Sequence, residues 1–268
     1  AGIIVAIIAL PLSIALALAS GVTPEKGIYT AITAGFVISF LGGSRVQIAG
    51  PTAAFATIVA GIVAKNGMDG LIIATLLAGV ILILMGFLRL GNLIKFIPYT
   101  ITTGFTSGIA VTIFIGQIKD FLGLTIVSEE PLIETMDKLK AVFAFISTTN
   151  LQALLVGVIS LLILIVWQYL PGFCKKIPPS LIAVLVGSAM VALLHMNVNT
   201  IGDLYEISNK LPAISLPAFS LKTVQNVLPD AFTIAILAAI ESLLSCVVAD
   251  SMVNSRHRSN MELIAQGA

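Results

Sequence analysis

The chain has 268 residues, of which 58% are hydrophobic and only 10% charged, and its formal net charge is +1. A soluble domain carries about a quarter charged residues, so this composition excludes one and describes an integral membrane protein. Near-neutral charge without a basic, aromatic-interleaved stripe gives no reason to expect nucleic acid as a partner.

At roughly 20 residues per crossing, the length allows about eight membrane spans. Residues 2–20 form the first, with Pro11 bending it from inside. After the turn Gly21-Val22-Thr23-Pro24-Glu25, a shorter apolar helix covers 27–41 and stops at Gly42-Gly43. The next segment, 46–64, departs from the pattern. Val46-Gln47-Ile48-Ala49 alternates as a strand does, whereas Pro51 has the fixed φ and missing N–H suited to a first helical turn. Broken backbone is tolerated at membrane depth only where protein or a watery cavity surrounds it. The segment therefore predicts a half-helix whose free N–H groups around Thr52, Ala53 and Ala54 face a cavity, an end that favours anions.

Spans at 71–88 and 97–118 follow, the second opened by Pro98 and carrying Gly104 and Gly108 for close packing. Residues 119–150, with Glu129, Glu130, Glu134, Asp137, Lys138 and Lys140, read as an interfacial amphipathic segment outside the bilayer. Residues 151–170 span again, ending in Trp167 and Tyr169 at headgroup level. A shorter span is expected at 179–194, a polar connection at 197–226 with Pro212 and Pro217, and a last crossing at 227–249. Met261–Ala268 looks like the beginning of a further helix. If the broken segment counts as one crossing, Arg45, Arg89, Lys95, Lys175, Lys176, Arg256 and Arg258 share one side, which the positive-inside rule makes cytoplasmic together with the amino terminus. Ala1 opens directly on an apolar run, as in a segment of a longer product.

Glu241 is the acidic residue placed near mid-depth of a span. Such a group is costly in a bilayer and marks an ion pathway by default. Ser245 lies one turn along the same face, with Ser242 beside Glu241. A carboxylate opposite a positive half-helix end is the arrangement expected near the midplane of secondary transporters. His195 and His257 lack metal-ligand neighbours and read as surface histidines, Asp250 as a hydrated helix end, and Arg256-His257-Arg258 as an anchor at the membrane surface. Cys174 and Cys246 read as free thiols. No metal site, phosphate loop or nucleophile with its base is visible, so the sequence does not read as an enzyme.

Several of these motifs, in order, resemble the sulfate permease (SulP) family of anion transporters. They are Ala9-Leu10-Pro11-Leu12, Ala19 to Tyr29, Gly42-Gly43-Ser44-Arg45, Gly50-Pro51-Thr52, Glu241 to Ser245, Ala249-Asp250, Arg256 to Asn260 and Glu262 to Gly267. The resemblance covers the chain and is of bacterial type, at home in the inner membrane. It implies an all-α fold of two inverted seven-helix repeats, divided into core and gate, of which the first repeat and the first helix of the second are present. A full-length form would be a homodimer with a cytoplasmic STAS domain. The resemblance further implies an anion held by Pro51, Thr52 and Ala53, walled by Leu12 and Leu16, and faced by Glu241 and Ser245 as the coupling-ion site. Substrates of the family include sulfate, bicarbonate and dicarboxylates, moved by symport, exchange or channel activity. An acid at Glu241 resembles the coupled members, with a proton as the expected ion and sodium, bound through carboxylate and Ser245 oxygens, second. No other cofactor is expected. Alternatives are uncoupled exchange, a nucleobase or borate substrate on a similar fold, and a non-transporting fragment that needs its missing repeat.

Overall fold

The computed structural model describes residues 2–92, 99–127, 132, 134–172, 177–205, 217 and 219–268. Cys174, Lys175, Lys176, Lys95, Pro98, Glu129, Glu130 and Pro212 lie outside the described residues. The chain divides into two units, one of residues 1–12 with 108–207 and the other of residues 13–107 with 208–268. Ten α-helices occur among the described residues: α1 Gly2–Ala19, α2 Pro24–Leu41, α3 Ala53–Phe87, α4 Tyr99–Leu122, α5 Thr135–Ala144, α6 Leu151–Val166, α7 Pro179–Leu193, α8 Ile201–Leu204, α9 Leu221–Val253 and α10 Ser259–Gly267.

Four stretches are long and apolar enough to cross a bilayer among the described residues: Gly2–Ala19, Ala53–Phe87, Leu151–Tyr169 and Leu221–Val253. α7 is apolar but shorter. α2 and α4 have comparable length with lower mean hydropathy, because Thr, Ser, Gly and charged residues interrupt them.

Residues 13–107 and 208–268 form the larger of the two units. α2 begins with Pro24 at its first turn, where the missing N–H costs nothing. Gly27 then lets the helix approach α1, since a Cβ there would stand 2.2 Å from the Ser13 carbonyl oxygen. α3 is two helices in one run: Gly67 has φ 67° and ψ −172°, a break that glycine adopts without a Cβ penalty. From Ala53 to Asn66 the first part rises about 20 Å, short of the ~30 Å hydrocarbon thickness, so it is a half-helix. The connection between the expected third and fourth spans tightens to this one turn, with Lys65 and Asp69 exposed on either side of it.

α9 runs parallel to the second part of α3. Val227 packs against Ile73 and Ala74, while Ala235, Ala239 and Leu243 pack against Ala78 and Leu82 further along both helices. α10 completes this core through Leu263. Its close approach depends on Gly79, where a Cβ would lie 2.6 Å from the Gly267 carbonyl oxygen.

In the other unit, Asn150 caps α6 by accepting from the Gln152 and Ala153 N–H groups, and Gly157 lies against the Phe121 ring. The expected interfacial segment there contains α5, whose Lys140 pairs with Asp137 at 3.3 Å on an exposed surface. The Trp167 indole N–H donates to the Ile177 carbonyl at 3.0 Å.

Candidate functional site

The segment entering the half-helix is extended but forms no strand ladder; among the described residues there is no β-strand. Val46–Ala49 therefore differs from its strand-like sequence pattern. Alternation sets side-chain direction, but a strand also needs a partner edge. Side chains of α9 supply the polar contacts instead. Gln47 Nε2 donates to Ser242 Oγ at 3.1 Å, and the Cys246 thiol contacts Gln47 Oε1. Cys246 is a buried free thiol.

Thr52 is the N-cap of α3. Its backbone is extended, and its Oγ1 accepts from the Ala54 N–H at 3.1 Å. The expectation of a free N–H at Ala54 is thus corrected: the capping hydroxyl takes it, as threonine does at this position. The same side chain lies near the Glu241 carboxyl. One hydroxyl therefore accepts from the half-helix and stands against the acid of α9. Pro51, Thr52, Ala53 and Glu241 are all partly buried. Ser245, one turn beyond Glu241, is exposed, whereas its neighbour Ser242 is buried. Leu16 is partly buried on the same unit's part of α1, and Leu12, half-exposed, belongs to the other unit.

Behind this pair lies a polar seam that sequence reasoning did not assemble. Ser242 Oγ accepts from Gln47 Nε2 and from Gln266 Nε2 at 3.0 Å, and donates to Glu262 Oε1 at 3.3 Å. Glu262 is fully buried, and its Oε2 accepts from the Gly43 and Ser44 N–H groups at 2.8 and 3.3 Å. A buried carboxylate needs such donors because it has lost water. The seam ties the Gly42–Gln47 entry, α9 and α10 into one piece. Its only sequence signal was polar residues inside apolar runs, at Ser242, Glu262 and Gln266.

A second cluster closes the α9–α10 turn. Asp250 Oδ2 accepts from the His257 backbone N–H at 2.8 Å and meets His257 Nδ1 at 2.7 Å, while its Oδ1 accepts from Ser255 Oγ at 2.9 Å. His257 Nε2 meets Ser259 Oγ at 2.9 Å, and the histidine side chain is only 8% exposed. His257 is therefore a buried brace rather than a surface histidine, and Asp250 is bonded internally rather than left to water. His195, by contrast, is exposed just after α7, with φ 48°.

A helical membrane unit, broken by a half-helix whose capped end lies near a carboxylate of the long helix α9, has the construction of a secondary transporter's core. Comparison with known proteins makes the class specific. The Sulfate permease family model matches residues 1–268, and the chain belongs to that family. It is 42% identical over 269 residues to YvdB of Bacillus subtilis (strain 168), whose name assigns it provisionally to sulfate transport, covering 100% of this chain and 50% of that protein. It is 33% identical over 279 residues to Bicarbonate transporter BicA of Picosynechococcus sp. (strain ATCC 27264 / PCC 7002 / PR-6), covering 99% and 48%. Among solved structures, the transmembrane domain of a cyanobacterium bicarbonate transporter BicA matches with a TM-score of 0.85 at 31% identity, covering 99% of this chain and 68% of that one. The expected all-α, inverted-repeat fold class agrees with these neighbours. The chain spans about half the length of the curated relatives it matches.

Proposed function

We propose that this chain is the anion-binding part of a secondary active transporter of inorganic or small organic anions of the sulfate, bicarbonate or dicarboxylate class, coupled to protons in a bacterial inner membrane. The observation that carries this reading is the Thr52 side chain standing between the α3 half-helix cap and the Glu241 carboxyl. The half-helix end, with its partial positive charge, and the remaining N–H at Ala53 favour an anion. Ionised Glu241 opposes one. Two unit negative charges ~6 Å apart, at an effective dielectric of ~20, repel by about 3 kcal/mol, or roughly a hundredfold in occupancy. A proton on Glu241 removes that repulsion, so anion and proton enter together. Pro51 and Ala53 shape the site, with Leu16 as its apolar wall.

The second reading replaces the proton by sodium. It draws on the exposed Ser245 hydroxyl one turn from Glu241, which adds an oxygen ligand of the kind hard cations take. Uncoupled exchange is the third, and needs no titration at Glu241. The relatives named above are described as transporters, and we assign no catalysis to this chain. The His257 relay braces a turn in this reading. The amino terminus is expected on the cytoplasmic side, together with Arg45, Arg89, Lys95, Lys175, Lys176, Arg256 and Arg258, by the positive-inside rule. The full-length form is expected to be a homodimer with a STAS domain.

The test is anion uptake into proteoliposomes by the full-length parent and its Glu241→Gln variant, with sulfate, bicarbonate and fumarate under imposed proton or sodium gradients. Loss of gradient dependence with retained exchange identifies Glu241 as the coupling site. Equal gradient dependence in both proteins refutes it, and a sodium-only response selects the second reading. The 268-residue segment assayed alone separates a competent unit from one that needs its second repeat.

A further inference from the structure

At the end of the second unit where α3 and α9 both finish, a cleft of about 640 Å³ opens, lined among others by Asn92, Arg256, His257, Arg258, Ser259 and Asn260. Asp250 lines it too. The acids at this end, Asp250 and Glu262, have both carboxylate oxygens committed to protein donors. Arg256 and Arg258 are exposed and, among the described residues, take part in no ion pair.

The surrounding contacts hold the pair in place. His257, between the two arginines, is fixed at both ring nitrogens by Asp250 and Ser259. The Arg258 backbone N–H donates to the Gly43 carbonyl at 3.0 Å, which brings the chain segment carrying Arg45 to this end. The Gly91 N–H donates to Asn260 Oδ1 at 3.1 Å, which brings the segment carrying Arg89. With its oxygen committed, Asn260 retains the Nδ2 hydrogens as donors. Arg258 is the N-cap of α10 and supplies no side-chain cap, and Ser259, Asn260 and Met261 of the first turn line the same cleft.

Guanidinium groups present a planar fork of donors that fits phosphate oxygens two at a time. A cleft with two uncommitted forks, and with its lining carboxylate already held by its own donors, suits a compact oxyanion. We propose that it binds a phosphate group, carried by an anionic phospholipid headgroup or free in solution, at a site separate from Thr52 and Glu241. Glu241 lies nine residues before Asp250 on α9, a rise of about 14 Å. The inference does not depend on transport.

The test uses the full-length protein in nanodiscs without any gradient. One arm titrates inorganic phosphate calorimetrically into phosphatidylcholine discs. The other counts phosphatidylglycerol retained per protein by native mass spectrometry in mixed discs. Arg256→Gln with Arg258→Gln is expected to weaken binding at least ~tenfold in one arm, two charge-assisted forks being lost. The arm that responds names the source. Lys119→Gln, on the other unit, is expected to leave binding unchanged. The proposal is overturned if neither arm shows binding that the double variant weakens, or if Lys119→Gln weakens it equally. Should the double glutamine variant not fold, Arg256→Lys with Arg258→Lys serves. It keeps the charge but loses the forks, and unchanged binding in it overturns a built site.

Discussion

Leu151–Tyr169, which contains α6, and α9 are both apolar and long enough to cross a bilayer, yet almost none of the first is buried against about a third of the second. The difference lies in residue size along one face. α9 buries Val227, Ala231, Ala235, Ala239, Ser242, Leu243 and Cys246, a stripe stepping by about four residues and built mostly of small side chains. α6, rich in Leu and Ile, has no fully buried residue. Within lipid, a leucine gains nothing by leaving the acyl chains for another leucine, whereas small residues let backbones approach and exclude lipid. Hydropathy therefore identifies a span, and the small-residue stripe identifies the face that packs. The polar groups collected behind that face, at Ser242, Glu262 and Gln266, are sheltered there and tie the half-helix entry to it.

The comparison is broken most severely at Gly79. Gly79→Val forces a Cβ to 2.6 Å from the backbone oxygen of Gly267, which has no rotamer to yield. A loss of about 3 kcal/mol or more is expected, read as failure to recover monodisperse protein or a large drop in thermal midpoint in detergent. Next is Ser242→Val, which leaves the two glutamine amides and Glu262 Oε1 without their shared partner. With an unsatisfied buried group costing about 1–3 kcal/mol and the two amides only part-buried and so costing less, a loss of ~2–4 kcal/mol is expected, together with reduced anion uptake as the Gln47 segment loosens. A Ser242→Val protein as stable as the native one would refute the seam's role.

Smaller effects are expected in the other unit. The Asp203 carboxyl is held below its usual range by the Thr200 hydroxyl and then by the Thr200 N–H, both donating to it. Its folded pKa being depressed, the capping-box contribution is present above the ordinary aspartate range and fades as pH falls through the lowered value. Thr200→Ala is expected to move the Asp203 carbon resonance titration upward without a measurable change in thermal midpoint. An unmoved titration would refute the capping interaction. Smallest of all is Leu161→Ala on α6, 47% exposed, for which a change within about 0.5 kcal/mol is expected. A large loss there would mean that the α6 face is packed and not lipid-facing.

Legibility divides along the same line. The half-helix start was readable because Gly50-Pro51-Thr52 carries its own punctuation, and Glu241 because a carboxylate amid alanines and leucines is conspicuous. The strand-like alternation of Val46–Ala49 misled, since no ladder partner is present among the described residues and Gln47 hangs from α9 instead. Asp250 and His257 were legible as residues but not as a pair, because only the left-handed turn at Asn254 folds one back on the other.

What the sequence alone determined is the medium and the local breaks: hydropathy expels the chain from water, and proline and glycine fix where helices start, split and stop. Only the tertiary structure decided which polar groups meet. Gln47, Ser242 and Glu262 come from segments up to 215 residues apart in sequence, as their numbers show. Their hydrogen bonds exist because glycines at 43, 79 and 86 let α10 reach α3 and the entry segment. The break at Gly67 and the packing of α9 along the second part of α3 likewise bring Thr52 near Glu241, a meeting that depends on long-range closure of the chain rather than on any local preference.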